Sequence, residues 1–131
     1  MMPAVARWVI PLFALLLCAQ AEGVSGKYAG TWTGGTAEGE FHLSLWLKGR
    51  EWQGEVTFTL GGNTVPTQMT MLKVEGASLA AKYEFELGGN KLQSAIEGEL
   101  RNGTWEGKYK TTVPGTDQQV DEGTWKASKS G

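Results

Sequence analysis

The sequence predicts an all-β protein, an eight-stranded antiparallel up-and-down meander closed into a small barrel. Three observations carry that expectation. Beyond residue 24 apolar and polar residues alternate with period two, and no stretch has a helical period. Glycine-rich breaks interrupt the alternation at short intervals, as tight hairpins require. When two-residue turns are placed at those breaks, apolar positions fall opposite apolar ones in one hairpin after another.

The first element stands outside the barrel. In MMPAVARWVIPLFALLLCAQAEG, Arg7 precedes an apolar run from Trp8 to Cys18, and Ala19-Gln20-Ala21 follows. A charged start, a short apolar middle and an A-x-A ending mark a secretory signal peptide, residues 1–21, with cleavage expected after Ala21. The run is shorter than the roughly 20 residues of a membrane-spanning helix. The alternative is a lipid anchor at Cys18, but Leu17 precedes it where a small residue is expected. Residues 22–131 then form a single β-barrel domain, secreted or periplasmic, without cysteine and so without disulfide or thiol chemistry. They carry eleven Lys/Arg against fourteen Asp/Glu with no basic patch, which argues against nucleic acid as a partner. A domain this small must bury a large share of its apolar groups, and five tryptophans remain to do so.

The strands are read at about 26–33, 38–48, 51–60, 63–74, 78–87, 90–100, 104–113 and 119–128. The first holds Gly30-Thr31-Trp32 and stops at Gly34-Gly35. In the second, Phe41, Leu43, Leu45 and Leu47 share one face. A turn at Gly49-Arg50 sets Leu47 opposite Trp52 and Phe41 opposite Phe58. A turn at Gly61-Gly62 sets Phe58 opposite Val65 and Trp52 opposite Met71. The fourth strand then breaks pattern: Met69 and Met71 belong inside, yet so do Leu72 and Val74. A β-bulge near Met71-Leu72, or an odd-length turn at Gly76-Ala77, would repair it.

A turn at Gly88-Gly89 pairs Phe85 with Leu92, Tyr83 with Ser94 and Ala81 with Ile96, with Glu86 opposite Lys91 outside. A turn at Asn102-Gly103 pairs Leu100 with Trp105, Gly98 with Gly107 and Ile96 with Tyr109, with Glu97 opposite Lys108 outside. A one-residue slip would invert every pair, so the agreement specifies the register. The segments Thr59–Asn63 and Glu86–Asn90 echo one another at a 27-residue interval, which convergent hairpin chemistry explains as well as duplication does. Closing the meander removes exposed edges. Eight strands leave an interior that side chains fill or that holds one small ligand.

Gly-Thr-Trp occurs three times, at residues 30–32, 103–105 and 123–125. A packed barrel alternates large and small inward groups, and Gly30-x-Trp32, Trp52-x-Gly54, Trp105-x-Gly107 and Gly123-x-Trp125 each set a glycine beside a tryptophan on one face, so the expectation is that these glycines make room for the indoles. The threonine between them points outward, where a β-branched polar residue suits a strand.

A secreted eight-stranded meander with Gly30-Thr31-Trp32 in its first strand resembles the calycin group, the lipocalins and avidins. The resemblance covers the architecture of residues 22–131, and it implies a barrel that carries a small ligand in its interior. Avidins continue Gly-Thr-Trp with a polar residue and an asparagine that contacts the ligand; here Thr33 and Gly34 stand there, which speaks against biotin.

No catalytic motif is present, and no cofactor or metal is implied. His42 is the only histidine and points to the polar face, which excludes a zinc site or a Ser/His pair. Glu84, Glu86, Glu97 and Glu99 are a dense acidic set, but they share the outer face with Lys82, Lys91 and Lys108 and read as a solvated surface. Asn102-Gly103-Thr104 matches a glycosylation acceptor and reads as a type I′ hairpin turn. Trp46 is the large aromatic on the outer face, a partner-binding candidate. The ligand-binding candidates are Tyr83, Ser94 and Thr111, a polar row across three strands, with Trp32, Phe58 and Phe85 toward the same end. That end bears the 113–120 connection and is the expected mouth, while Trp52 and Trp105 plug the other.

Two readings follow. One is a non-enzymatic exported barrel that binds a small, largely apolar ligand at its mouth. The other is an interaction or inhibitor module that acts on a protein partner through its outer surface, its hydroxyls satisfying one another in a filled core. An outer-membrane pore is a third arrangement of the same alternation. The terminal Ser128–Gly131 lacks an aromatic and the loops are short, so membrane insertion is not expected.

Overall fold

The structure is a computed structural model that describes residues 23–130, so the expected signal peptide lies outside the described residues. Nine antiparallel strands follow in chain order: β1 (Gly26–Gly34), β2 (Glu38–Lys48), β3 (Glu51–Leu60), β4 (Asn63–Pro66), β5 (Gln68–Glu75), β6 (Ser78–Leu87), β7 (Asn90–Arg101), β8 (Thr104–Thr112) and β9 (Gln119–Lys129). One sheet holds them in the order β4-β3-β2-β1-β9-β8-β7-β6-β5. The first strand therefore pairs with the last, and the up-and-down sheet curls into a nearly closed barrel.

The hairpin registers follow from the turns. Gly61-Gly62, Gly88-Gly89 and Asn102-Gly103 each have positive φ at both central positions, the type I′ geometry that matches strand twist. Phe58 lies opposite Val65, Tyr83 opposite Ser94, and Gly98 opposite Gly107, all as the alternation requires. Outside, Lys91 lies opposite Glu86 in register but makes its ion pair diagonally with Glu84, at 3.4 Å.

The fourth predicted strand is two strands, not one. Asn63–Pro66 pairs with β3, whereas Gln68–Glu75 leaves β3 and pairs with β6. Pro66 has no N–H to give a ladder, and at Thr67 the chain changes neighbours. Trp52 is therefore not paired with Met71. The alternation is repaired by a bulge, but earlier than expected: Met69 lies opposite Tyr83 and Met71 opposite Lys82, so Thr70 is the extra residue. That turns Met71 outward and Leu72 and Val74 toward the core.

The seam between β3 and β5 is closed by side chains instead of a ladder. The Thr67 hydroxyl donates to the Val56 carbonyl at 2.5 Å. Leu72 packs on Gly54 so closely that a Cβ there would lie 3.1 Å from its Cδ2.

The interior divides into two halves. At the end bearing the Gly49, Gly76 and Asn102 turns, Trp105, Tyr28, Leu45 and Val56 are fully buried. Trp105 and Tyr28 meet edge to face at 6.2 Å, and the Tyr28 hydroxyl donates to the Val24 carbonyl. Trp105 plugs this end as expected; Trp52 stays half-buried.

The Gly-Thr-Trp triplets work differently from the expectation. A Cβ on Gly30 or Gly123 would strike a neighbouring strand's backbone, at 1.9 Å from the Lys126 carbonyl oxygen and 2.0 Å from that of Thr33. Gly103 belongs to a hairpin turn. The glycines that make room for indoles lie on adjacent strands. Trp32 crosses Gly39 and donates its N–H to the Thr59 carbonyl on the strand beyond, at 3.0 Å. Trp125 crosses Gly107 and Gly98, and its N–H is shared between the Glu97 and Lys108 carbonyls, both at 3.2 Å. Each indole is a strap across two strand boundaries.

Candidate functional site

The other half of the interior holds a cavity of about 200 Å³. Thr36 and Ala37 of the loop after β1, Leu60 and Leu87 beside the turns at Gly61 and Gly88, and Val120 and Asp121 of β9 line it toward its open end. Trp32, Phe58, Tyr83, Phe85, Ser94 and Thr111 all line it, so the structure brings all six ligand-binding candidates together. Trp46 is elsewhere, on the outer wall and 43% exposed.

Strand parity builds the walls. Phe58 meets Phe85 edge to face at 5.0 Å, and Trp32 meets Phe58 at 6.1 Å. Below these rings runs the polar row. Ser94 and Thr111 share a hydrogen bond of 2.6 Å between their buried hydroxyls. Burial pushes the Tyr83 hydroxyl well above its ordinary pKa, with a hydrogen bond to Ser94 pulling the other way. All three are therefore neutral hydroxyls at neutral pH, able to donate as well as accept.

Two further residues belong to the site and were absent from the sequence-derived set. Tyr109 donates its hydroxyl to Asp121 Oδ2 at 2.7 Å and stands edge to face with Trp32 at 6.0 Å. Burial raises the Tyr109 pKa, and the hydrogen bond and the negative charge of Asp121 raise it further. The Gly35 amide donates to Asp121 Oδ1 at 3.3 Å, tying the mouth loop to β9. Gly34 makes the arrangement possible: a Cβ there would lie 2.4 Å from both Asp121 Oδ2 and the Tyr109 hydroxyl oxygen. The signal for Asp121 was available in the sequence. Trp125 and Ala127 face inward, and Asp121 has the same parity.

Chemically the cavity offers aromatic surface, the hydroxyls of Thr36, Tyr83, Ser94, Tyr109 and Thr111, and one carboxylate. Among the described residues no group of three histidine, cysteine, aspartate or glutamate side chains is placed to hold a metal ion. Comparisons with protein-family models, with curated proteins and with solved structures gave no match to this chain.

Proposed function

We propose that this is an exported, non-enzymatic binding protein of calycin-like build that holds one small, largely apolar ligand at the barrel mouth. The observation that carries the reading is the cavity itself, an apolar chamber with a few convergent polar groups in the half of the barrel opposite buried Trp105 and Tyr28. Its volume limits the occupant. A cavity of about 150 Å³ holds a benzene molecule, so this one has room for a single ring with a short chain inside the barrel. The outward Glu, Lys and Thr of most strands suit a wall that faces water, and the N-terminal pattern suits export with the mature chain starting at Glu22.

A thermal-shift screen of small one-ring compounds tests the reading, repeated on Tyr83→Phe and on Ala37→Trp, which places an indole in the mouth. Hits should raise the wild-type midpoint, weaken in Tyr83→Phe and vanish in Ala37→Trp. A broad screen without a hit would remove the pocket reading. Hits that survive Ala37→Trp would move the site to the outer surface, where Trp46 is the place to look.

A further inference from the structure

We infer that the ligand is a small organic cation, an amine on one apolar ring or short chain, whose ammonium group is held by Asp121. The inference rests on the pocket reading above and narrows its ligand class. Asp121 is the one charged side chain among the described residues that line the cavity. It is half-buried at the lip, where taking a carboxylate out of water costs free energy unless its charge and its lone pairs are met. A carboxylate has about four acceptor sites. Here one hydrogen bond reaches each oxygen, from the Tyr109 hydroxyl and the Gly35 amide, and both donors are neutral. Among the described residues no lysine or arginine pairs with it.

Acceptor sites on both oxygens thus remain for a donor arriving from the mouth, and no protein cation among the described residues offsets the charge. An ammonium group supplies both. It also suits the walls, since Trp32 and Tyr109 line the same cavity as the carboxylate. Aromatic rings attract cations placed over their faces within about 6 Å. The apolar part of the same molecule would lie against Phe58 and Phe85, which line the chamber. Carboxylates and phosphates would meet Asp121 with like charge and bind worst.

The surroundings are shaped for that carboxylate. Gly34 keeps open the space that Asp121 and the Tyr109 hydroxyl occupy, and the 35–37 loop is fixed by the bond to Oδ1. A carboxylate present only as a solvated surface group would need neither.

Three compounds of matched ring and chain decide the question by calorimetric titration: 2-phenylethylamine, 2-phenylethanol and 3-phenylpropionate. The amine should bind at least about ten-fold tighter than the alcohol, roughly 1.4 kcal/mol, and the acid should not bind. Asp121→Asn keeps an acceptor for Tyr109 and removes the charge. It should erase the amine's advantage, bringing the amine and the alcohol within about two-fold of each other. Alcohol binding as tight as the amine, or any preference for the acid, overturns the cation and leaves the pocket standing. Failure of all three compounds overturns the cation as well, and the wider screen then judges the pocket on its own. Should Asp121→Asn not fold, the wild-type ranking of the three still decides.

Discussion

Gly107 has no room for even one methyl group. A Cβ there would lie 1.7 Å from the Glu97 carbonyl oxygen and 2.7 Å from the Gly98 Cα, both backbone atoms that move only if β7 moves. Trp125 depends on the same closeness, since its N–H reaches carbonyls on both β7 and β8. Gly107→Ala should therefore cost about 3 kcal/mol, the upper part of the range for over-packed interiors. Lys108→Ala, one residue on and facing solvent, should stay within about 0.5 kcal/mol. Urea denaturation of the two variants checks this, and equal effects would mean that the register of β7 against β8 is wrong. At this scale the tryptophans explain the glycines only in part: the ring needs a gap on the next strand, while the glycine in its own triplet serves the backbone beside it.

At the scale of the element, the barrel has one weak seam. Strands β4 and β5 end the sheet on either side, so each is hydrogen-bonded along one edge. Across the seam from β5, the first half of β3 is met by Leu72 and Thr67 side chains and not by a ladder. Every other amide of Gln68–Glu75 should then exchange with solvent far faster than amides of β7 and β8, which have neighbours on both sides. Native-state hydrogen exchange measures this directly, and uniform protection through β5 would show a ladder closing the seam. The same seam marks where the sequence misled. Hairpins such as Gly88-Gly89 and Asn102-Gly103 were legible because the turn fixes the register and the register sorts the faces. In residues 63–75 the broken alternation at Met71-Leu72 betrayed the bulge, but the change of neighbours at Thr67 left no trace in polarity. The site was legible for the same local reason: Tyr83, Ser94 and Thr111 follow from two consecutive turns. Asp121 follows β8 through a loop of irregular length, so no turn fixed its register, and only the parity of Trp125 pointed inward.

Considered as a whole, the molecule has placed all three of its tyrosines inside the barrel, and this couples its stability to alkaline pH. Tyr28, Tyr83 and Tyr109 each have a raised pKa, with burial the largest cause. In the unfolded chain each hydroxyl titrates near 10. Between that value and the higher folded one, the unfolded state releases protons that the native state keeps. The native state therefore binds more protons, and unfolding becomes easier as pH rises. The stabilisation is fully present below pH 10 and is lost progressively above it. An absorbance titration of tyrosinate should show almost no ionisation of the native barrel near pH 10, then a steep rise that coincides with loss of the tryptophan environment. Tyr109 should be the one that responds to a single change. Asp121→Asn removes the negative charge and leaves only an amide acceptor, so Tyr109, still raised by burial, should ionise at lower pH than in the wild type while Tyr83 stays silent until unfolding. Three tyrosines titrating near 10 in a folded barrel would contradict the enclosed interior on which both the cavity and its carboxylate depend.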